Sequence, residues 1–272
     1  MDKLNFLTAG IPLSAGTKGY KRGFEIHDEM GLDGLELEFV HGVRISDESK
    51  AAVKASGKVI TAHAPFYVNL NAREEEKIES SIQRIIETAM MAEELGGYSI
   101  TYHAGFYLGQ PKDLVYQNIL KRTEVIVEAL EGVGNKIWIR PETTGKGTQW
   151  GDLEEIVSLS KEFKTVLPCV DFSHLHARYN GLMNTYDDFC GVFETIGTEL
   201  GQIALDNFHA HIAGIEYGAK GEKKHLNLEE SDFNYKDLLK AFKNFNIKGA
   251  IVCESPNIED DAKLLKDYYL SL

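Results

Sequence analysis

Six short apolar stretches of the chain carry a histidine, aspartate or glutamate at or next to their C-terminal end. These residues are His63, His103, Glu142, Asp171, His211 and Glu254. Imidazole nitrogens with carboxylate oxygens form a mixed ligand set that suits Zn²⁺, with Mn²⁺ or Fe²⁺ as alternatives. Six candidates exceed the four protein ligands that one zinc takes, so at least two ions and a bridging carboxylate are predicted. A metal pair is suited to hydrolysis of phosphoesters.

The elements that must position these residues alternate between strands and helices. The predicted strands are 4–9, 34–40, 58–64, 98–104, 136–142, 166–172, 207–213 and 248–254. Between them, 74–95 and 112–133 have apolar residues at helical spacing. Eight strand–helix units without a Pro/Ser-rich linker predict an α/β fold, a single closed (β/α)8 barrel domain over residues 1–272. The C-terminal strand ends of such a barrel meet at one mouth, which predicts a metal site there.

Further histidines and carboxylates extend the predicted site. His174 follows Asp171 by three residues, His225 lies on a long loop, and together they could hold a third ion. His176 competes with His174 for this role. Glu36 and Glu38 alternate with apolar residues and should point inward, where they could accept hydrogen bonds from ligand histidines. Three other histidines receive non-ligand predictions: a buried, hydrogen-bonded position for His209 and surface positions for His27 and His41.

Composition limits the function classes. The 272 residues carry a net charge of −13, which disfavours nonspecific nucleic-acid binding. Three cysteines without paired spacing favour the reducing cytoplasm, and no apolar stretch is long enough to cross a membrane. We therefore expect a cytoplasmic monomer. Local basic residues on the predicted mouth loops could still contact a phosphodiester or a sugar phosphate, or could simply be solvated: Arg44, Lys146, Arg178, Lys220, Lys223 and Lys224.

Six segments resemble, in order along the chain, those of endonuclease IV, the zinc-dependent apurinic/apyrimidinic endonuclease among the xylose-isomerase-like TIM barrels. They read HAPFYVNL, YHAGFYLG, PETTGKGTQWG, CVDFSHLHARYNG, HIAGIEYG and CESP. The resemblance implies hydrolysis of the phosphodiester 5′ to abasic sites in DNA by hydroxide held between the metals, as in base excision repair. It also implies that Phe66 wedges into the DNA. Lys146, Arg178, Lys223 and Lys224 are predicted to contact phosphate.

The resemblance also assigns the ligands. One metal would take His63, His103 and Glu142. A second would take Glu142, Asp171, His211 and Glu254, and the third would take His174 and His225. Glu142 would bridge, and Glu142 and Glu254 are the predicted catalytic carboxylates.

The chain departs from that family at one ligand position. Lys223 stands where the family has an aspartate for the third metal. Either the adjacent Glu222 replaces it, or the third site is weak and Lys223 meets the phosphate itself. The alternative function is a metal-dependent sugar or sugar-phosphate isomerase or epimerase on the same barrel, which needs one metal and carboxylates for proton transfer.

Overall fold

A sheet of eight parallel strands forms the centre of the protein, for which a computed structural model describes residues 1–272. The eight strands are β1 (Leu4–Ala9), β2 (Gly34–Glu38), β3 (Val59–His63), β4 (Ser99–Tyr102), β6 (Trp138–Pro141), β8 (Val170–Asp171), β9 (Phe208–Ile212) and β12 (Gly249–Cys253). Their order across the sheet is β6-β4-β3-β2-β1-β12-β9-β8. Two isolated parallel bridges, Ile139 to Val166 and Glu142 to Cys169, connect the two ends of this order.

Helices connect the strands and pack on the outer face of the sheet. They are α1 (Gly19–Met30), α2 (Asp47–Ala55), α3 (Glu75–Glu94), α4 (Lys112–Gly132), α5 (Leu153–Lys161), α6 (Phe172–Arg178), α7 (Tyr186–Leu200), α8 (Gln202–Asp206), α9 (Tyr235–Asn244) and α10 (Glu259–Ser271). Two short 3₁₀ helices cover Leu13–Lys18 and Leu228–Glu230. Capping boxes start α5 at Asp152 and α7 at Thr185, which satisfies backbone N–H groups at both helix starts. None of these helices has the length and apolarity needed to span a bilayer.

The predicted α/β barrel of eight parallel strands is confirmed, and the sixth strand is the one that is shortened most relative to its predicted range. The sixth strand was expected over 166–172, but only Val170–Asp171 is continuous strand. Pro168 interrupts it, because proline has no N–H to give to the neighbouring strand. The Pro168 carbonyl instead accepts a hydrogen bond of 2.9 Å from the buried guanidinium of Arg140.

His27 does not have the surface position predicted for it. Its side chain is fully buried on α1, and Nε2 lies 3.0 Å from the hydroxyl of Thr8. Burial lowers the pKa of His27 to about 4, so the ring is neutral at pH 7. The three cysteines, Cys169, Cys190 and Cys253, are unpaired, in line with the absence of a predicted disulfide framework.

Two small antiparallel sheets stand over the C-terminal ends of the barrel strands. The smaller pairs β5 (Gly105–Phe106) with β7 (Gln149–Trp150), and the larger pairs β10 (Gly214–Gly218) with β11 (Gly221–Leu226). We call the larger one, residues 214–226, the mouth hairpin. The predicted long loop after the seventh strand is therefore an ordered hairpin.

The mouth hairpin docks on the loop that follows β6. The amide of Glu222 donates a hydrogen bond of 2.9 Å to the Gly145 carbonyl. A Cβ on Gly145 would lie 2.6 Å from Cβ of Glu222, and one on Gly221 would lie 2.2 Å from the Gly145 carbonyl oxygen. Only glycines allow the two backbones to approach this closely.

A second contact fixes the mouth hairpin on the C-terminal end of α6. The Tyr217 hydroxyl donates a hydrogen bond of 2.6 Å to Asp232, and its ring packs edge-on against His176 at 4.9 Å between centroids. A Cβ on Gly181 would lie 2.4 Å from the same hydroxyl. The hairpin is thus held at both of its sides.

We predict that Gly145→Ala destabilises the protein by about 1–3 kcal/mol, because the new methyl group must displace the hairpin. Gly147→Ala is the matched control in the same loop, since a Cβ there has nothing within 4 Å. Urea denaturation of the two variants checks this. Equal unfolding free energies would show that the close approach at Gly145 carries no stability.

Candidate metal centre

The strand ends, α6 and the mouth hairpin bring eight predicted ligands into three overlapping clusters. Within each cluster one donor atom per residue lies within 4.8 Å of all the others. The clusters are His63, His103 and Glu142; then Glu142, Asp171, His211 and Glu254; then Asp171, His174 and His225. They match the ligand groups implied by the resemblance, with Asp171 added to the third.

Glu142 lies at the middle of the arrangement and is 1% exposed. Its Oε2 is 3.2 Å from His63 Nε2, and its Oε1 is 3.2 Å from His103 Nε2. The same Oε1 is 3.2 Å from His174 Nδ1 and 3.4 Å from His211 Nδ1. Burial works to raise the pKa of Glu142, but the facing imidazoles, His103 and His211 first, outweigh it and hold the pKa well below its ordinary value.

These spacings fit metal ligands. Bonds of about 2.0–2.1 Å in a tetrahedral shell place neighbouring donor atoms roughly 3.3 Å apart, close to the separations around Glu142. Two buried imidazole nitrogens, His211 Nδ1 and His225 Nε2, have no hydrogen-bond partner. A bound cation would satisfy both. The nitrogen and oxygen donors suit Zn²⁺, Mn²⁺ and Fe²⁺ alike.

Without a bound cation, protons on the imidazoles would balance the carboxylate charge of the cluster. Burial alone would lower the pKa of His63, but the Glu142 carboxylate outweighs burial and raises this pKa to about 10. His174 likewise reaches a pKa of about 10, because Asp171 and Glu142 outweigh burial. Both imidazoles must lose a proton before they can bind a cation, so metal and protons compete for the site.

Asp171 has two roles at the start of α6. Its Oδ1 accepts a hydrogen bond of 2.7 Å from the amide of His174, which caps the helix. Its Oδ2 lies 3.0 Å from His174 Nδ1. Burial raises the pKa of Asp171 to about 6 even though His174 opposes the shift. The three-residue spacing between Asp171 and His174 is therefore that of a helix N-cap and the amide it binds.

The structure separates His174 from its competitor His176. The side chain of His174 faces Glu142 and Asp171 in the mouth. His176 is fully buried on the other side of α6, with Nδ1 3.0 Å from the Met183 carbonyl and Nε2 3.1 Å from Asp232. His176 thus belongs to the contact that fixes the mouth hairpin.

Glu222 points into the site, and Lys223 points away from it. Glu222 Oε2 lies 3.6 Å from His174 Nε2. Lys223 pairs with Glu216 at 3.1 Å with 57% of its side chain exposed, and Lys224 lies 3.6 Å from the same carboxylate with 64% exposed. Of the two alternatives for the departure at position 223, this placement favours Glu222 as the replacement and does not favour a Lys223 contact with phosphate at the centre.

Arg178, which was predicted to contact phosphate, lies beside the loop that follows β6. Its side chain is 6% exposed, and its guanidinium donates to three carbonyls of the 144–149 loop, with the shortest bond at 2.7 Å to Lys146. Arg178 therefore stabilises the loop beside the mouth, and its contact with phosphate stays a prediction. Lys146 itself is half-buried. Phe66 is 64% exposed and lies 6.2 Å from the His63 ring, so it remains available for a contact at the mouth.

Glu36 and Glu38 both point into the barrel. Glu36 is fully buried, with its oxygens 3.1 Å from His209 Nε2 and 2.9 Å from His211 Nε2. Burial works to raise its pKa, but the two imidazoles lower it below its ordinary value. Glu38 is half-buried, and burial together with Glu36 raises its pKa to about 8. His209 is buried and lies 2.8 Å from the Ser99 hydroxyl, as predicted.

Cys169 has no role in the sequence-based site, yet it lies in a fourth cluster with His209 and His211. The signal that could have indicated it is strand parity. Cys169 precedes Asp171 by two residues, so both side chains point into the barrel.

We predict that His174→Ala changes the metal content of the protein, whereas His176→Ala changes its thermal stability. His174→Ala should lower the bound metal by up to one equivalent, because it removes a donor from the third cluster. His176→Ala should keep the metal content and lower the thermal stability. Elemental analysis and thermal melting of both variants test this, and loss of metal from His176→Ala alone would reverse the assignment.

Comparisons with known proteins agree with the barrel. A profile of the xylose isomerase-like TIM barrel family matches residues 24–268. The chain is 43% identical over 271 residues to an uncharacterized protein of Methanocaldococcus jannaschii, covering 99% of this chain and 98% of that one. It is 23% identical over 216 residues to the probable endonuclease 4 of Mycoplasma genitalium, covering 75% and 69%.

Two solved structures share the fold at low sequence identity. Endonuclease IV from Thermus thermophilus superposes with a TM-score of 0.75 at 20% identity, covering 97% of this chain and 100% of that one. A D-tagatose 3-epimerase-like protein gives a TM-score of 0.71 at 19% identity, covering 97% of both chains. Likeness at this level concerns the fold alone. The family match over nearly the whole chain shows that the protein belongs to the xylose isomerase-like TIM barrels.

Proposed function

We propose that the protein is a zinc-dependent endonuclease that hydrolyses the phosphodiester 5′ to abasic sites in DNA. The observation that carries the proposal is the overlap of three donor clusters through Glu142 and Asp171. One cation cannot use eight donors, whereas two or three cations sharing carboxylates can. Bound together, such cations lower the pKa of an attacking water and neutralise the oxygens of a phosphate during in-line displacement.

The protein's own side chains would orient these groups and move the proton. Four histidine nitrogens lie within 3.4 Å of the Glu142 oxygens and orient this carboxylate toward the centre. Glu254 is looser: its side chain is 14% exposed, with Oε1 3.3 Å from His211 Nδ1 and Oε2 3.9 Å from His225 Nδ1. Oε2 is therefore the proposed acceptor of the proton released by the attacking water.

The rim of the mouth offers features that suit a DNA strand. His103 is the most open of the clustered histidines that contact Glu142, with 29% of its side chain exposed. Phe66 and Tyr67 are 64% and 63% exposed and can stack on bases. A cleft of about 520 Å³ continues from them past Phe106 and Arg84. In this proposal a DNA strand lies along the cleft, with Phe66 at the end nearer to His63.

The comparisons support this proposal through two similar proteins. One is the probable endonuclease 4 of Mycoplasma genitalium, and the other is the endonuclease IV of Thermus thermophilus. Their names describe cleavage inside a nucleic acid, which is the chemistry proposed here for the multi-cation site.

A sugar epimerase is the second candidate, and one cluster favours it. Glu142, Asp171, His211 and Glu254 alone supply a complete four-donor set for one cation. Two of these donors are glutamates, the residue type used for proton transfer on a sugar. The D-tagatose 3-epimerase-like structure has a similar fold. This function would leave His63, His103, His174 and His225 without a metal role.

We predict that the zinc-loaded protein nicks a duplex containing one abasic site and that a chelator abolishes the activity. Glu142→Gln should lower the rate at least about 100-fold, because the variant weakens all contacts that the carboxylate makes to the clustered histidines. Gel analysis of an end-labelled duplex measures this. Glu216→Gln is the control, since Glu216 pairs only with exposed lysines on the mouth hairpin.

The competing function is tested on the same preparations. Protein loaded with Zn²⁺, Mn²⁺ or Fe²⁺ that leaves the abasic duplex intact but interconverts ketohexoses would replace the endonuclease proposal with the epimerase one. Intact duplex and unchanged sugars with all three metals would reject both.

A further inference from the structure

A second group of side chains with metal-ligating donor atoms lies beneath the mouth, inside the barrel. Donor atoms of Cys169, His209 and His211 lie within 4.8 Å of one another, and all three residues are fully buried. The carboxylate of Glu36, also fully buried, reaches the same two imidazoles from the opposite wall. These four residues, which we call the inner cluster, include the only sulfur donor in any of the clusters.

The donors of the inner cluster are close together but do not satisfy one another. Glu36 lies 3.1 Å from His209 Nε2 and 2.9 Å from His211 Nε2. Both carboxylate oxygens and both Nε2 atoms nevertheless lack a hydrogen-bond partner of favourable geometry at these distances. Four unpaired polar atoms at the centre of a barrel are costly. Nitrogen and oxygen atoms that lie close together without forming hydrogen bonds are the arrangement expected around a cation that they share.

Neighbouring contacts orient the two imidazoles toward this centre. His209 Nδ1 lies 2.8 Å from the hydroxyl of Ser99, which leaves Nε2 facing the cluster. His211 turns Nδ1 toward Glu142 and Glu254 in the mouth and Nε2 toward the interior. Such contacts on the far nitrogen fix a ligand histidine in its binding orientation.

We propose that Cys169, His209, His211 and Glu36 bind one thiophilic divalent cation, of which zinc is the prime example, separately from the cations of the mouth. Cys169, His209 and His211 supply three donors within 4.8 Å of one another. Glu36, which faces both imidazoles, closes the environment in the manner of structural zinc sites. Binding releases the thiol proton of Cys169, and the thiolate and carboxylate charges then balance the ion. His211 has one ring nitrogen at each site. When cations occupy both the inner cluster and the mouth, both of its ring nitrogens are deprotonated. The proposal does not depend on the reaction catalysed at the mouth.

Cobalt(II) supplied during expression in place of zinc tests the inner cluster directly. A thiolate ligand gives cobalt an intense sulfur-to-metal absorption band in the near ultraviolet, which the nitrogen and oxygen donors of the mouth cannot give. We expect this band in the intact protein. Cys169→Ser should remove the band and one equivalent of metal.

Two control variants separate the sites. Cys253→Ser alters another fully buried cysteine, which packs in the hydrophobic core outside the clusters, and should keep the band. His225→Ala removes a donor of the mouth and should also keep it. Cobalt-loaded protein without the sulfur band, or a band that persists in Cys169→Ser, would overturn the proposal.

X-ray absorption at the zinc edge keeps the proposal testable if Cys169→Ser does not fold. The zinc-loaded wild-type protein should show a sulfur scatterer at about 2.3 Å besides the nitrogen and oxygen shell. A shell of nitrogen and oxygen alone would mean that the inner cluster holds itself together without metal.

Discussion

The burial of Glu142 among four histidines is the interaction on which the rest of the mouth depends. A carboxylate that is 1% exposed is expensive to desolvate, and only facing positive charge makes it tolerable. Without a bound cation, protons on the imidazoles would supply that charge. Cations would supply more of it and at the same time satisfy the unpaired nitrogens of His211 and His225. The buried carboxylate of Glu142 therefore accounts both for the charge balance of the site and for its proposed ability to bind cations.

The positions of these ligand side chains depend on contacts that lie outside the candidate metal site. Parallel strands set His63, His103 and His211 at one end of the barrel. His225 and Glu222 come instead from the mouth hairpin, which depends on the close approach of Gly145 and Gly221 and on the contact of Tyr217 with Asp232. The buried Arg178 holds the loop on which that hairpin rests.

Much of this arrangement could be predicted from the sequence, because the C-terminal ends of parallel barrel strands all lie at one mouth. Apolar runs ending in His63, His103 or Glu142 predict both the barrel and the meeting of those residues at its mouth. The runs could not reveal that Pro168 shortens a strand, since pairing depends on the neighbour and on Arg140. Nor could they reveal that Arg178 and His27 are buried, because each is covered by segments distant in sequence.

The choice between Glu222 and Lys223 shows where sequence reasoning ends. Adjacent residues on a β-strand point to opposite sides, so one of the two must face the site. Which one does so is decided by the docking of the hairpin on Gly145, a tertiary contact that no local pattern encodes. The same holds for Cys169, whose inward direction follows from parity but whose partners lie on another strand.

Anomalous diffraction at the zinc edge from crystals of the zinc-loaded protein tests the central claim most directly. The account predicts at least two peaks in the mouth, both within about 2.2 Å of a Glu142 oxygen and each also bonded to histidine. A single peak ligated by Glu142, Asp171, His211 and Glu254, with His63 and His103 unbound, would contradict a multi-cation centre.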